Sequence, residues 1–197
     1  MLKFEEGKHE YSLPTGEILK SVTQYIDEAG LGADKSRFTD FHRDRGRAVH
    51  MVCEFDDLGC LEESSIDPRI IPYVEAYRKF KAEQQFAWEG VEDRRWHMVY
   101  RYAGTIDRWG LMVLGGKEKP TVLDLKSGVP ERSWGLQLSA YAHLLDETVQ
   151  WERVVLRLTK EGKYFLTVFP QTEAAEDWST FVSAVNIVNW KSKRRAA

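Results

Sequence analysis

The sequence predicts an α/β protein with a central mixed β-sheet flanked by helices, and three observations lead there. Helical periodicity fills the first third of the chain. Strand-length segments crowd the middle, and strands alternate with helices through the remainder. Segments interleaved in this order form a sheet whose faces are covered by helices. A length of 197 residues suits one compact domain spanning 1–197.

Taken in order, residues 9–16, HEYSLPTG, read as a short strand entering a Pro-Thr-Gly turn. Ser21 or Thr23 caps a helix that carries Val22, Tyr25 and Ile26 and stops near Gly30. Asp34 to about Leu58 reads as a second helix. Phe38, Phe41, Arg45, Ala48, Val49, Val52 and Phe55 recur there at helical spacing, and Gly59 ends it. Asp67-Pro68 starts a third, through Ile71, Val74, Tyr77 and Phe80 to about Gln85, with Pro68 in a tolerated first-turn position. Strands are expected at Phe86–Glu92, Trp96–Tyr102 and Thr105–Leu114. The stretch Gly115 to Pro120 reads as a turn into a strand at Thr121–Lys126. Ser133 to about Asp146 is a helix, Arg153–Thr159 and Lys163–Pro170 form a hairpin around Glu161-Gly162, and Thr172 caps a last helix to about Lys191.

Composition narrows the function classes. The hydrophobic share of 43% and charged share of 30% belong to folded chains rather than disordered ones. No apolar run reaches the roughly 20 residues that cross a bilayer. Acidic residues stand near the N-terminus where a signal peptide would have its apolar stretch, so a cytosolic protein is expected. The two cysteines, Cys53 and Cys60, exclude a disulfide-rich scaffold and a four-cysteine iron–sulfur or zinc site built from this chain. They are expected as free thiols. A net charge of −3 argues against a stoichiometric DNA coat, which would be basic. It leaves room for an enzyme that gathers carboxylates at a metal and keeps its cations local. Arg43, Arg45 and Arg47, Arg94 and Arg95, and Lys191, Lys193, Arg194 and Arg195 are such local groups. The last reads first as a solvated tail.

The informative segments are Gly104-Thr-Ile-Asp107-Arg and Val122-Leu-Asp124-Leu-Lys126-Ser-Gly128. Residues two apart in a strand share a face, so Asp124 and Lys126 project together while Leu123 and Leu125 enter a helix-covered core. A charged pair on an otherwise apolar strand is costly unless it serves a partner or a metal. If the strand of Asp107 is a neighbour, its carboxylate meets that of Asp124 across the sheet. Two converging carboxylates make a hard-oxygen site for Mg²⁺ or Mn²⁺. Such an ion acidifies water and offsets phosphate charge, with Lys126 holding or deprotonating the water.

These residues resemble the PD-(D/E)XK nuclease superfamily, whose fold is restriction-endonuclease-like. Asp124-Leu-Lys126 matches its D/E-x-K element, and Asp107 matches the preceding acidic residue. Gly46-Arg-Ala-Val-His50 and Gln137-Leu-Ser-Ala-Tyr141 resemble the Gly-x-x-x-His and Gln-x-x-x-Tyr elements of the RecB/Cas4-like branch. Leu19-Lys-Ser-Val-Thr23 is similar to the opening of phage-type and mitochondrial genome-maintenance exonucleases, with Lys20 where a proline often stands. The resemblance covers about residues 11 to 145. It implies His50, Asp107 and Asp124 as metal ligands and Asp107, Asp124, Lys126, Gln137 and Tyr141 as catalytic residues. Gln137 and Tyr141 would orient the lysine region or grip the DNA strand; packing of Tyr141 in the core is the competing reading. Gly46 would let its helix approach another element or DNA.

Glu92 is a further candidate ligand, while Glu54 and Glu75 are expected at the surface. Arg45, Arg47, Arg108 and Ser127 are candidate phosphate contacts, with ordinary surface roles the equal alternative. Trp109 and Trp134 offer stacking surfaces for bases or ordinary core packing. His9, His42, His97 and His143 are read as structural. The implied function is a phage-type exonuclease acting on linear single- or double-stranded DNA in recombination, repair or end processing, with a possible protein partner and no iron–sulfur cluster. The competing reading is a non-catalytic DNA-binding or partner-recruiting module on the same fold.

Overall fold

The computed structural model describes residues 2–8, 10–32 and 40–195. The N-terminal strands β1 (Lys3–Glu5), β2 (Glu10–Ser12) and β3 (Ile18–Ser21) form an antiparallel ribbon. Helices α1 (Val22–Glu28), α2 (Asp40–Asp57) and α3 (Ile71–Glu83) follow. Next come the long strands β4 (Phe86–Trp96), β5 (Tyr102–Leu114) and β6 (Lys117–Lys126), helix α4 (Ser133–Ala142), strands β7 (Glu152–Leu158) and β8 (Tyr164–Phe169), and helix α5 (Ala174–Arg195). All eight described strands join one mixed sheet in the order β1-β2-β3-β5-β6-β7-β8, with β4 paired to β5. The expected α/β architecture is present: an open mixed sheet with helices on both faces. No helix among the described residues is long and apolar enough to cross a membrane.

Burial explains why the sheet is closed on both faces. One face packs Tyr102, Val122 and Val155 against Val22 and Tyr25 of α1, Leu138 and Tyr141 of α4, and Phe181 and Val185 of α5. The other packs Leu123, Leu125, Val154 and Leu156 against Val49 and Cys53 of α2 and Tyr73, Tyr77 and Phe80 of α3. The alternation of β6, with Val122 on one side and Leu123 and Leu125 on the other, follows from the two-residue repeat of a strand. Buried aliphatic and aromatic side chains stabilise the fold by about 1.5–3 kcal/mol each.

The α1 cap follows the sequence reading, falling on Ser21 of its two candidates, while several other elements depart from it for local reasons. Ser21 caps α1 with a full capping box: its hydroxyl accepts the Gln24 N–H at 3.1 Å, and the Gln24 side chain accepts the Ser21 N–H at 2.7 Å. Helix α3 begins at Ile71 rather than at Pro68, because the Asp67 carboxylate accepts the Arg69 N–H at 2.9 Å and makes a turn first. Segment 97–101 is a tight turn, not a strand. The His97 Nδ1 accepts the N–H groups of Val99 and Tyr100, each at 3.2 Å, and Arg101 takes a left-handed φ of 55°. Strand β6 begins at Lys117, so Pro120 lies within it rather than in the turn. That is tolerated because β7 pairs with β6 only from Thr121 onward, leaving the first residues at an edge. Helix α4 stops at Ala142 rather than near Asp146, and Thr172 sits in a 3-10 turn before α5 rather than capping it.

The start of the second helix at Asp34, Phe38 and His9 lie outside the described residues, as do the side chains of Phe41, His42, Arg43, Arg194 and Arg195.

Candidate metal centre

The centre sits where β5 changes partners along one edge. Its first residues, Tyr102 and Ala103, pair in parallel with Lys20 and Ser21 of β3. From Arg108 onward the same edge pairs in antiparallel with β6, beginning at Leu123. One further step of that register would set Asp107 opposite Asp124, but there the strands part. The Asp107 carboxylate spans the gap, accepting the Leu125 N–H on Oδ2 at 2.6 Å. The sheet thus opens into a fork with one acidic residue on each prong.

On the other edge, β4 brings Glu92 beside Asp107. Val91 pairs with Arg108 and Asp93 with Ile106, while Glu92 between them drops out of the ladder with φ of 47°. A left-handed backbone is unusual for a glutamate and costs about 1–2 kcal/mol. His50, from the middle of α2, completes the group. Its ring lies 3.0 Å from the Leu125 carbonyl through Nε2. A carbonyl only accepts, so Nε2 carries a hydrogen and Nδ1 is the nitrogen that faces the site, where it would offer its lone pair to an ion on losing its own proton. Nδ1 lies 3.5 Å from Asp107 Oδ1 and 3.7 Å from Glu92 Oε1.

One donor atom each from His50, Glu92 and Asp107 lies within 4.8 Å of the others. Donors about 2.1 Å from a shared octahedral or tetrahedral ion sit about 3–3.5 Å apart, so the spacing suits a small divalent cation. Asp124 is held differently. Its Oδ1 accepts from Gln137 Nε2 at 3.0 Å, and its Oδ2 is 2.7 Å from the Lys126 ammonium but outside hydrogen-bond geometry. The Lys126 ammonium is therefore the cation that offsets the Oδ2 charge in this structure. The structure therefore joins His50 and Asp107 with Glu92 most closely, and places Asp124 alongside.

Electrostatics agree with a site built around positive charge. Burial disfavours an imidazolium at His50, yet Asp107 and Glu92 outweigh it and push its pKa up to about 10. Burial, eased by Lys126 and reinforced by Asp107, pushes Asp124 up to about 6. Glu92 is raised by burial and by Asp107, against the pull of His50. Asp107 stays below the ordinary carboxylate range despite its burial, because His50, Lys126 and the Leu125 N–H favour its charged form.

Helix α4 supplies the orienting groups. The Gln137 oxygen accepts from Lys126 Nζ at 2.9 Å, and its amide nitrogen donates to Asp124 and, at 2.9 Å, to the Tyr141 hydroxyl. One amide thus fixes both members of the Asp-x-Lys pair, possible because Gln137 and Tyr141 share a helix face. Tyr141 can come close to β5 only because residue 104 is glycine: a Cβ there would stand 2.8 Å from the tyrosine ring.

The centre forms the floor of an open cleft of about 660 Å³. Arg47, Met51, Glu54 and Phe55 of α2 make one wall, and Phe4, Tyr11 and Arg94 stand opposite. No protein-family model matches the chain. No curated protein matches it either.

Other candidates fall elsewhere. Arg108 is fully buried and paired with Asp57 at 2.7 Å, so it is no phosphate contact. Arg45 donates to the Ser127 carbonyl at 3.1 Å, while Arg47 is exposed in the cleft. Glu54 lines the cleft, and Glu75 is exposed on α3 outside it. Among the described residues nothing lies within 4 Å of where a Cβ on Gly46 would stand, so it meets no other described element there. Trp134 is buried, and Trp109 donates to Asp93 at 2.8 Å; both serve the core. His97 caps its turn and pairs with Glu147, and His143 stacks on Trp178. Cys53 and Cys60 are free thiols. Phe4 and Tyr11 were not expected in the cleft, since no motif marks β1 or β2, and Arg94 was marked only as a member of a local basic group.

Proposed function

We propose that this protein is a metal-dependent DNA nuclease of the PD-(D/E)XK superfamily, RecB/Cas4-like branch, with a restriction-endonuclease-like arrangement of its sheet. It hydrolyses phosphodiester bonds as an exonuclease on linear DNA, in the cytoplasm, in recombination, repair or end processing. The observation that carries this is the fork between β5 and β6, which gathers Asp107, Asp124, Lys126, Glu92 and His50 on the floor of an open cleft.

His50, Glu92 and Asp107 would hold Mg²⁺ or Mn²⁺, with the Asp124 carboxylate, paired to Lys126, beside them. The ion contributes Lewis acidity toward water and phosphate. Lys126, at the open side of Asp124, presents its ammonium where negative charge grows on the phosphate and holds the attacking water by hydrogen bonding. Gln137 keeps the lysine and the carboxylate in register, and Tyr141 fixes Gln137. Arg47 and Arg94 flank the cleft and suit the DNA backbone, whose phosphates position a strand without reading its sequence.

The test is incubation with labelled single- and double-stranded DNA, linear and circular, with Mg²⁺ or Mn²⁺. Loss of linear substrate that stops with EDTA and with Asp124→Ala is expected, with circular DNA spared. DNA binding without cleavage under every metal condition would instead establish a binding module.

A further inference from the structure

We propose that Arg108 is a positioning residue for the metal centre, holding Glu92 where an ion would meet it. The inference rests on His50, Glu92 and Asp107 being the ligands. Arg108 follows Asp107 on β5 and is wholly buried. Its Nη1 donates to the Asp107 carbonyl at 2.6 Å and lies 3.4 Å from Glu92 Oε1, the oxygen that faces His50. Its Nε donates to Asp57 Oδ2 at 2.7 Å, and the Tyr77 hydroxyl donates to the same oxygen at 2.6 Å. Asp57 closes α2, about two turns beyond His50. One rigid guanidinium therefore links the helix that carries the histidine to the strand irregularity that carries the glutamate.

Stability does not account for this arrangement. A buried ion pair is often no more stable than apolar residues of similar volume. Here the surrounding layer is apolar, and Nη2 finds no hydrogen-bond acceptor among the described residues. Glu92 needs an outside hold, because a left-handed glutamate persists only where its surroundings dictate it. Its Oε1 has two cationic neighbours, His50 and Arg108. With an ion bound, His50 would lose its Nδ1 proton and give that lone pair to the metal. Arg108 is then the group that keeps Glu92 turned toward Asp107.

The test is Mn²⁺ binding to the full chain by calorimetry and by loss of free-Mn²⁺ spin-resonance signal. Arg108→Lys keeps a charge for Asp57 but lacks the fork that also reaches Glu92. It is expected to fold and to bind Mn²⁺ roughly 10–100-fold more weakly than the wild type. Glu92→Gln is expected to weaken binding too, and adding Arg108→Lys to it should cost nothing further, since Glu92 is the route of the effect. Wild-type affinity in Arg108→Lys, or fully additive losses in the double variant, overturns the proposal. If Arg108→Lys does not fold, Asp57→Asn/Arg108→Gln neutralises the pair together and is compared with Asp57→Asn alone. Equal Mn²⁺ affinity of those two likewise overturns it. A wild-type chain that binds no Mn²⁺ overturns the ligand assignment and this proposal with it; a wild type that binds while Arg108→Lys is unchanged overturns this proposal only.

Discussion

Gln137 is the residue through which the site is most exposed to single changes. Its amide touches Lys126, Asp124 and Tyr141 at once. Gln137→Ala leaves all three oriented by nothing else in common, and a loss in kcat of roughly 10–100-fold with little change in KM for DNA is expected. Lys126→Ala removes the ammonium itself, and a loss of roughly 100-fold or more in kcat is expected. Both are read by steady-state cleavage of a labelled linear strand; a variant that changed KM alone would contradict these roles. Gly104→Ala places a methyl 2.8 Å from the Tyr141 ring. Overpacking of this kind costs about 1–3 kcal/mol, so a lowered urea midpoint together with reduced activity is expected. At this scale the sequence was informative where chemistry forces a residue type: Asp107, Asp124, Lys126 and His50 all converge as their types suggested. Glu92 was visible as a carboxylate, but its left-handed backbone was not, because that conformation depends on β4 meeting β5. Arg108 was misread as a surface group, since nothing in the local sequence reveals that Asp57 and Tyr77 enclose it.

Among the elements, the α1 cap offers a clean measurement. Ser21→Ala removes the hydroxyl half of the capping box and is expected to cost about 0.5–2 kcal/mol, read as a fall in Tm of about 2–4 °C for each kcal/mol. An unchanged Tm would show that packing of Val22, Tyr25 and Ile26 alone holds the helix. Ser21 was legible as one of two candidate caps, with Thr23, from the apolar residues that follow; the Gln24 half of the box was not. The β4–β5 turn was not, because it is built by a histidine side chain accepting two backbone N–H groups instead of by Gly, Asn or Pro. Pro120 misled for a related reason. Proline marks turns in general, and only the late start of β7 makes a strand position there acceptable.

For the molecule as a whole, stability below neutral pH carries a readable contribution from His143. Its ring stacks on Trp178 of α5 at 3.7 Å between centroids, and its Nδ1 lies 2.9 Å from the Ser139 carbonyl. Burial lowers its pKa from the ordinary 6.5, with His97 and Arg153 adding to the shift and the Ser139 bond and Glu147 opposing it. The unfolded chain then takes up this proton more readily than the folded one. The contribution is full above about pH 6.5, is lost as pH falls through the lower folded value, and is flat below it. His143→Phe keeps the stack without the titration. The drop in urea midpoint between about pH 7.5 and about pH 5.5 is expected to be smaller in that variant, and an equal drop in both would exclude His143 as a source.

The N-terminal ribbon has a second consequence at this scale. Its last strand covers β5 at Tyr102 and Ala103, and the Tyr11 hydroxyl meets Thr105 Oγ1 at 2.7 Å just short of the fork. Stripped of residues 1–21, that stretch of β5 would present bare peptide groups to solvent, a template for a strand from another molecule. A chain shortened in this way would be recognised by sticking to its own copies, eluting early on a sizing column, as well as by an opened cleft. The same few residues that wall the cleft thus also keep one molecule from being mistaken for the missing edge of the next.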